Sequence, residues 1–205
     1  MILSDPHGCI SIYQKFKDSC KNLLVDVGII AGDLTTYSEF PCEDEAKIKS
    51  ILNTIGIPVL FIMGNDDRFA WEDSKTSFNI NQRKVRVKNN FFVGYQYTNP
   101  FIGGIFEKTE DEQIVDLQNL KRICEEDYIL ITHGPAYGIL DKVSTGENVG
   151  SKALLDFIKH TRPQFHIFGH IHEDYGIFNN SLNASYPISK KMYLLNFEEG
   201  KIKEI

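Results

Sequence analysis

Four short apolar runs, each followed directly by a glycine or a histidine, constrain the fold of this chain more than any other feature of its sequence. The runs are Val25–Ala31, Pro58–Met63, Tyr128–Thr132 and Phe165–Phe168. A near-continuous apolar run of this length is typical of a strand that is buried on both faces. Glycine at the end of such a strand lets the backbone turn sharply. We therefore predict an α/β protein built around buried strands with tight turns at their ends.

Helices and further strands are predicted between and after these runs. Apolar residues spaced three to four apart predict helices over Ile10–Leu24, Glu43–Ile55, Thr109–Cys124 and Ser151–His160. Shorter stretches predict strands over Val85–Lys88, Phe91–Tyr97, Tyr175–Phe178, Met192–Phe197 and Lys201–Ile205. The polar segments Thr36–Asp44 and Asp67–Lys84 predict loops, the second with room for a short helix. This mixture favours a layered α/β sandwich over a simple barrel.

Length, charge and cysteine usage exclude several classes of protein. No linker or internal repeat divides the 205 residues, so we predict a single domain over 1–205. A formal net charge of −6, without a basic stripe, argues against non-specific binding to nucleic acid. No apolar run approaches the roughly 18–20 residues of a membrane helix, and the first residues do not resemble a signal peptide. The four cysteines form no C-x-x-C pair, which favours free thiols, and we predict a soluble cytoplasmic protein.

Acidic, amide and imidazole side chains follow the predicted strands. They are Asp5, His7, Asp33, Asn65, Asp66, Asp67, His133, His170 and His172. Active sites of open α/β sheets lie outside the carboxyl ends of the strands. Imidazole together with carboxylate favours a divalent transition metal over calcium. In the D-x-H and H-x-H spacings, strand geometry would direct both side chains to one side. A carboxylate such as Asp33 can bridge two ions with its two oxygens.

Five short blocks occur in order between residues 5 and 172, namely D-x-H, G-D, G-N-x-D, T-H-G and G-H-x-H. Together they resemble the calcineurin-like metallophosphoesterase superfamily. The run T-H-G-P followed by G-H-I-H-E is similar to its small single-domain phosphodiesterase branch. The resemblance implies a four-layer α-β-β-α sandwich with two divalent ions at one edge, drawn from Mn2+, Fe2+/Fe3+, Zn2+ and Ni2+.

The resemblance also implies a role for each ligand. Asp5, His7 and His172 would hold the first ion. Asn65, His133 and His170 would hold the second ion, and Asp33 would bridge both.

Asp66 is a departure from the family pattern. The usual block is G-N-H followed by an acidic residue, and Asp66 stands at the histidine position. An ionised aspartate cannot donate a proton and would repel a phosphate, so acid assistance would need a raised pKa, another residue or water. Asp66 and Asn65 are the candidate catalytic residues, and Asn65 would mainly position the metal. A second departure is the short segment Met1–Ser4 before the first block, so either the first strand is stunted or the natural product begins earlier.

Several other residues near the blocks have two interpretations. Asp67 is a candidate for orienting the ligand histidines, or it forms a local turn. Tyr137 and Tyr175 either line a substrate pocket or are ordinary, partly buried tyrosines. His160 and His166 lie outside the blocks, and we predict structural or surface roles for them.

The predicted function is hydrolysis of phosphate esters, above all phosphodiesters, by a water or hydroxide that bridges two metal ions. Because this sequence lacks the histidine of the G-N-H block, diesters with good leaving groups are the favoured substrates. A phosphomonoesterase or a nucleotide pyrophosphatase with the same site is the nearest alternative. A catalytically impaired, metal-binding interaction module is a further alternative, which Asp66 supports. The predicted partner is a small phosphate ester such as a nucleotide, and we predict neither a membrane nor a nucleic-acid partner.

Overall fold

Two six-stranded sheets form the centre of the structure. The computed structural model describes residues 1–36, 41–125 and 127–205, and the side chains of residues 41–44 are outside this description. The strands in the described ranges are β1 (Ile2–Leu3), β2 (Gly28–Ala31), β3 (Val59–Ile62), β4 (Ser77–Asn79), β5 (Lys84–Val87), β6 (Asn90–Tyr95), β7 (Tyr128–Thr132), β8 (Phe165–Phe168), β9 (Gly176–Phe178), β10 (Ser181–Asn183), β11 (Tyr193–Asn196) and β12 (Lys201–Glu204).

The helices lie mostly between these strands. They are α1 (Ile10–Asn22), α2 (Pro41–Asn53), α3 (Glu110–Leu120), α4 (Lys152–Thr161) and α5 (Tyr186–Ser189), with 3-10 helices at Lys121–Ile123 and His172–Asp174. Within the described ranges, every helix is too short or too polar to cross a bilayer. Cys9, Cys20 and Cys124 are free thiols, whereas the side chain of Cys42 falls outside the description.

Each sheet contains a set of neighbouring parallel strands. The carboxyl ends of these strands lie along the same edge of the sheet, the edge that the strand ends form. Sheet one has the order β12-β11-β1-β2-β3-β4, and β1 to β4 run parallel. Sheet two has the order β5-β6-β7-β8-β10-β9, and β6, β7, β8 and β10 run parallel. The remaining strands pair antiparallel at the outer sides. Turns that follow the parallel strands are therefore collected at a common edge.

Alternating side chains of the strands divide the core into three layers of contact. In β2, Ile30 packs with α1 and α2, whereas Ile29 faces the second sheet. In β7, Ile129 lies between the sheets and Leu130 packs toward α3 and α4. The order is therefore helices, sheet one, sheet two, helices, which confirms the expected four-layer α-β-β-α sandwich.

Helices α3 and α4 are tied together at their first turns. Thr109 and Glu112 form the capping box of α3, in which Glu112 accepts the backbone N–H of Thr109 at 2.8 Å. Ser151 caps α4 by accepting the N–H of Leu154 at 3.1 Å. The carboxylate of Glu110 in α3 also accepts the N–H groups of residues 152 and 153, at 2.8 and 2.7 Å. One acidic side chain thus serves the N-terminus of a neighbouring helix as well as its own.

The predicted elements agree with the structure except where strands are short and polar. Strands β7 and β8 have the predicted bounds, and the four longer helices begin within two residues of the predicted positions. The prediction of loop or short helix for Asp67–Lys84 is wrong at Ser77–Asn79, where β4 pairs with β3. Residues 37–40 of the predicted loop Thr36–Asp44 lie outside the described residues, and α2 begins at Pro41.

Candidate metal centre

The predicted ligands follow five parallel strands that belong to two different sheets. Asp5 and His7 follow β1, Asp33 follows β2, and Asn65 follows β3, all in sheet one. His133 follows β7, and His170 and His172 follow β8, all in sheet two. The edge shared by the two sheets therefore brings these side chains together.

One group of side chains consists of Asp5, His7, Asp33 and His172. One ligand atom from each lies within 4.8 Å of the others. Nε2 of His172 is 3.4 Å from Oδ1 of Asp5 and 3.4 Å from Nε2 of His7. Nε2 of His7 is 3.9 Å from Oδ2 of Asp33. Two ring nitrogens that face each other between carboxylates form a donor set suited to a divalent cation, so these residues fit a metal.

A second group adjoins the first through Asp33. Oδ1 of Asp33 is 3.2 Å from Nε2 of His133, which is 3.0 Å from Oδ1 of Asn65. The rings of His133 and His170 pack edge to face, with centroids 5.2 Å apart. Because its other oxygen faces His7, the carboxylate of Asp33 lies between the two groups, where the sequence predicts a bridging ligand.

The local backbone that directs these side chains differs from the prediction. Asp5, His7, Asp33 and His170 have positive φ angles of 55°, 45°, 49° and 71°. His172 begins a 3-10 helix. The prediction that strand geometry directs both members of each pair to one side is therefore wrong. Tight turns direct them instead, and a non-glycine residue in the left-handed region costs roughly 1–3 kcal/mol, a strain that is common at functional sites.

Two glycines leave the space that the ligands occupy. Gly32 has a φ of 99°, and a Cβ on it would lie 2.3 Å from Nδ1 of His133. A Cβ on Gly64 would lie 2.2 Å from Oδ1 of Asp33 and 2.6 Å from Nε2 of His133. Both distances are well inside van der Waals contact. These positions must therefore be glycine for Asp33 and His133 to approach each other.

Hydrogen bonds and charge set the protonation of the buried ligands. Nδ1 of His133 lies 2.9 Å from the carbonyl oxygen of Ala31 and donates to it, which directs Nε2 at Asp33 and Asn65. Burial acts to lower the pKa of His133, but the charge and hydrogen bond of Asp33 outweigh it and raise the pKa to about 9. Burial, together with the charge of His133, lowers the pKa of His170 to about 4. His170 is therefore a neutral ring near pH 7, whereas His133 would release a proton on binding a metal, because a ligand histidine must be deprotonated.

Asp5 is held from two sides. Ser185 donates its hydroxyl to Oδ2 of Asp5 at 2.9 Å, and the backbone N–H of His170 donates to Oδ1 at 3.1 Å. Burial acts to raise the pKa of Asp5, but the hydrogen bond with His172 and nearby histidine charges lower it below its usual range. Sequence reasoning missed Ser185, because the strand β10 that precedes it was not predicted and no motif marks a lone serine.

Asp67 joins two ligand turns instead of orienting a histidine. Its carboxylate accepts the backbone N–H groups of Gly64 at 2.8 Å, Leu34 at 3.1 Å and Thr35 at 2.7 Å. The hydroxyl of Thr35 donates to it as well, at 2.8 Å. Burial and the charge of Asp33 raise the pKa of Asp67 to about 7, against the effect of these donors. Asp67 therefore fixes the turn that carries Asp33 against the turn that carries Asn65.

A cavity of about 490 Å³ opens beside the two groups of ligands. Much of its lining, which we call the apolar side of the cavity, is formed by Tyr97, Pro100, Phe101, Ile102, Val143, Val149 and Leu154. Among the lining residues that the structure describes, none is lysine or arginine. Asp66 lines this cavity too, and Oδ2 of its side chain is 3.1 Å from Nδ1 of His7.

Part of the apolar side, Phe101 and Ile102, lies on a loop whose backbone is hydrogen-bonded to one carboxylate. The carboxylate of Glu107 accepts the N–H groups of Phe101, Ile102 and Gly103 at 2.8, 2.9 and 2.9 Å. The ring of Phe101 stands edge to face with His170, at 6.0 Å between centroids. Phe101 is nevertheless 76% exposed. A large apolar side chain is thus held in the open cavity next to a predicted ligand.

Four other residues singled out in the sequence belong neither to the two groups of predicted ligands nor to the described lining of the cavity. Tyr137 and Tyr175 are not among the residues that line the described cavity, and both are exposed, at 37% and 38%, where partial burial was predicted. His160 lies near the end of α4 and hydrogen-bonds the carbonyl oxygen of residue 156 at 2.8 Å. His166 is buried in β8, stacks on the ring of residue 168, and hydrogen-bonds the hydroxyl of residue 132 at 2.8 Å. His166 is therefore a buried structural residue and His160 a surface residue, the two alternatives that were predicted.

Comparison with known proteins identifies similar sequences and folds. The sequence model of the calcineurin-like phosphoesterases matches residues 1–174. Metallophosphoesterase domain-containing protein 1 of Homo sapiens is 35% identical over 100 residues, which are 48% of this chain and 30% of that protein. UPF0046 protein K07C11.7 of Caenorhabditis elegans is 32% identical over 101 residues, 49% of this chain and 33% of that protein. The matched part of this chain thus spans about a third of the length of these curated relatives.

Solved structures share the fold at low sequence identity. The protein TT1561 of Thermus thermophilus superposes with a TM-score of 0.77 and 14% identity, over 100% of this chain and 96% of that chain. A dimetal phosphatase from Danio rerio superposes with a TM-score of 0.59 and 9% identity, over 99% of this chain and 85% of that chain. At these identities the likeness concerns the arrangement of sheets and helices alone.

Proposed function

Because this chain belongs to the calcineurin-like phosphoesterase family, we propose that it hydrolyses phosphate esters with two bound divalent metal ions and prefers phosphodiesters. Asp5, His7 and His172 would hold one ion, and Asn65, His133 and His170 the other, with Asp33 between them. The carboxylate, amide and imidazole donors support Mn2+, Fe2+/Fe3+, Zn2+ or Ni2+ over calcium. When bound, the ions would supply Lewis acidity toward phosphoryl oxygens and lower the pKa of a water nucleophile.

The residues of the chain contribute position more than proton transfer. Asp33 presents one carboxylate oxygen to each group of ligands. The hydrogen bond from His133 to the backbone of residue 31 directs its Nε2 into the site. Asn65 offers an amide oxygen at 3.0 Å from that nitrogen, which suits a metal ligand and not a proton donor. This division leaves the leaving group to depart with help from water, and so supports substrates whose leaving groups are already good.

The apolar side of the cavity is the observation that carries the preference for diesters. A phosphodiester bears one negative charge and two organic groups, so one group can leave while the other remains in contact with Phe101 and Ile102. A monoester or a pyrophosphate bears more negative charge near pH 7. Apart from the proposed ions, the described lining offers no lysine or arginine for that charge, and Asp66 adds a carboxylate. The charge and shape of the cavity therefore favour a small diester with an apolar or aromatic substituent.

Side-by-side turnover of a diester and a monoester tests the proposal. We would assay bis(p-nitrophenyl) phosphate and p-nitrophenyl phosphate with added Mn2+ and measure bound metal in the same preparation. About two ions per chain and faster diester turnover, lost in His170→Ala and in Asp33→Asn, are expected. Faster monoester turnover would support a phosphomonoesterase instead. Bound metal without turnover of either ester would support a metal-binding interaction module, and unchanged metal content in Asp33→Asn would contradict the ligand assignment.

A further inference from the structure

Asp66 and His7 form a side-chain pair that the sequence does not reveal. Fifty-nine positions separate them, yet Oδ2 of Asp66 lies 3.1 Å from Nδ1 of His7. An ionised carboxylate has no proton to give, so the N–H of the imidazole is the donor. The ring nitrogen Nδ1 is therefore the protonated one when the ring is neutral.

The other nitrogen of His7 faces the candidate metal centre. Nε2 lies 3.4 Å from Nε2 of His172 and 3.9 Å from Oδ2 of Asp33. With the proton on Nδ1, the lone pair is on Nε2 and points into the group of ligands. A carboxylate on the outer nitrogen of a metal-binding histidine fixes both its tautomer and its ring orientation.

Asp66 is itself fixed to the centre through its backbone. Its N–H donates to Oδ1 of Asp33 at 2.9 Å. The side chain of Asp66 is thus placed by the same carboxylate that lies between the two groups of ligands. The side chains of His7 and Asp66 are 28% and 23% exposed, so the surrounding core alone does not lock the ring.

We propose that Asp66 is a positioning residue that holds His7 in the tautomer and orientation needed to bind a metal ion, and does not protonate the leaving group. This inference rests on the proposed metal site. It gives Asp66 a function that is compatible with an active enzyme, so its presence in place of a histidine does not mark a degenerate site. The proposal distinguishes His7 from His133, because His133 is oriented by the backbone carbonyl of Ala31, which no side-chain substitution removes.

Metal affinity measured by titration calorimetry with Mn2+ tests the first half of the proposal. Asp66→Ala is expected to weaken one binding step by about 10–100-fold, the usual effect of losing such a partner. Asp66→Asn should lose less, since its amide oxygen still accepts a hydrogen bond. Glu173→Gln is the matched control, because it removes a carboxylate from the rim of the same cavity. Equal losses in Glu173→Gln and Asp66→Ala would overturn the proposal, as they would indicate a general effect of charge.

The tautomer of His7 in the metal-free protein tests the second half without turnover or metal. Long-range proton–nitrogen correlation spectra, assigned with a His7→Gln variant, should show the Nδ1–H form in the wild type at a pH where the ring is neutral. Asp66→Ala should shift His7 toward the Nε2–H form. An unchanged tautomer overturns the proposal whatever the metal affinity, and unchanged affinity despite a changed tautomer overturns it too. If Asp66→Ala does not fold, Asp66→Asn carries both measurements, with a smaller loss of affinity expected and an unchanged affinity contradicting the proposal.

Discussion

Phe101 is held in the open cavity by its backbone, while its ring remains free to contact a substrate. The carboxylate of Glu107 fixes the N–H of Phe101 at 2.8 Å, and the ring stands beside His170. Covering part of such a ring with an organic group stabilises a complex by about 1 kcal/mol, or roughly fivefold in affinity. Substituting Phe101 therefore tests whether the cavity selects phosphodiesters by their organic substituent.

Replacing this ring should change selectivity more than turnover. Phe101→Ala is expected to raise KM for a diaryl phosphodiester by about three- to tenfold. The change should be smaller for the phosphodiester in which a methyl group replaces one of the two aryl groups. Steady-state kinetics with the two esters measures the effect. Phe178→Ala deletes a ring that is 51% exposed and outside the cavity lining, so it should leave both values unchanged. Equal changes for both esters in Phe101→Ala would contradict contact with the aryl group.

The burial of His166 should make the free energy of unfolding depend on pH in the acid range. It is fully buried, its Nδ1 has no hydrogen-bond partner in the structure, and burial lowers its pKa to about 3. In the unfolded chain the pKa is about 6.5, so between pH 6.5 and 3 the unfolded state binds a proton that the folded state does not. The free energy of unfolding should therefore fall as the pH falls through this window.

A matched pair of variants isolates that contribution. Denaturant unfolding of metal-free protein between pH 4.5 and 7.5 should show a shallower acid dependence in His166→Gln, by up to about 1.4 kcal/mol per pH unit. His160→Gln removes an exposed histidine and should keep the slope of the wild type. If the slopes of wild type and His166→Gln coincide, His166 does not stay neutral in the folded state.

At this scale, side-chain chemistry was more predictable than backbone direction. The residue types and their order identified the seven side chains that the structure brings to one edge of the sheets. The strand-based account of how the paired ligands converge is wrong, because four of the ligand residues adopt positive φ. The hydrogen bonds of Asp66 and Ser185 join residues far apart in the chain, and spacing does not reveal such pairs.

At the scale of elements, Glu110 links the two helices that cover sheet two. Its carboxylate accepts two backbone N–H groups at the start of α4, at 2.8 and 2.7 Å, and lies 3.3 Å from the hydroxyl of Ser151. Because α4 borders the cavity through residues 151 and 154, this contact also holds one side of the cavity. Its loss would leave N–H groups at the helix end without a protein acceptor.

Removing this carboxylate should lower stability without removing any ligand. Glu110→Ala is expected to lower the free energy of unfolding by about 1–2 kcal/mol, as loss of a helix cap does. Asp111→Ala removes a neighbouring acidic residue from the same first turn and controls for the interaction with the dipole of α3. Urea unfolding of the two variants gives the comparison. Equal losses would mean that the link to α4 contributes nothing.

Strands and helices were predicted correctly where the pattern of apolar residues was strong. Short strands that are stabilised by pairing with a neighbouring strand were missed. Buried strands β7 and β8 had near-continuous apolar runs, and their bounds were predicted correctly. Strand β4 carries Ser77 and Asn79, and only its pairing with β3 reveals it. Strand β10 is similarly polar and lies between β8 and β9. Short strands of this kind depend on neighbours that a local pattern does not contain.

At the scale of the whole molecule, the candidate metal centre joins the two sheets. Sheet one contributes the predicted ligands after β1, β2 and β3, and sheet two those after β7 and β8. A bound ion would therefore connect halves that otherwise meet through the apolar layer between the sheets. Any ligand that binds only the folded state stabilises it by mass action.

Metal should accordingly raise the melting temperature of the protein. Mn2+ at about 100 times its Kd should add roughly 2.7 kcal/mol per ion to the free energy of unfolding. For a chain of this size, that corresponds to a rise in Tm of about 5–10 °C relative to protein treated with a chelator. Differential scanning fluorimetry would detect it. The rise should shrink in His170→Ala, and equal Tm values with metal and with chelator would contradict a centre that spans both sheets.

The clearance at Gly32 and Gly64 changes how the relatives of this chain should be assessed. A single methyl group at either position would lie within 2.6 Å of the side chain of His133, although neither glycine has a side chain that could bind a metal. A homologue can therefore retain every ligand and still have lost its activity through alanine at one of these two sites. Screening for pseudoenzymes in this family should score these two glycines alongside the ligands, and Gly64→Ala would supply an inert protein with an intact ligand set.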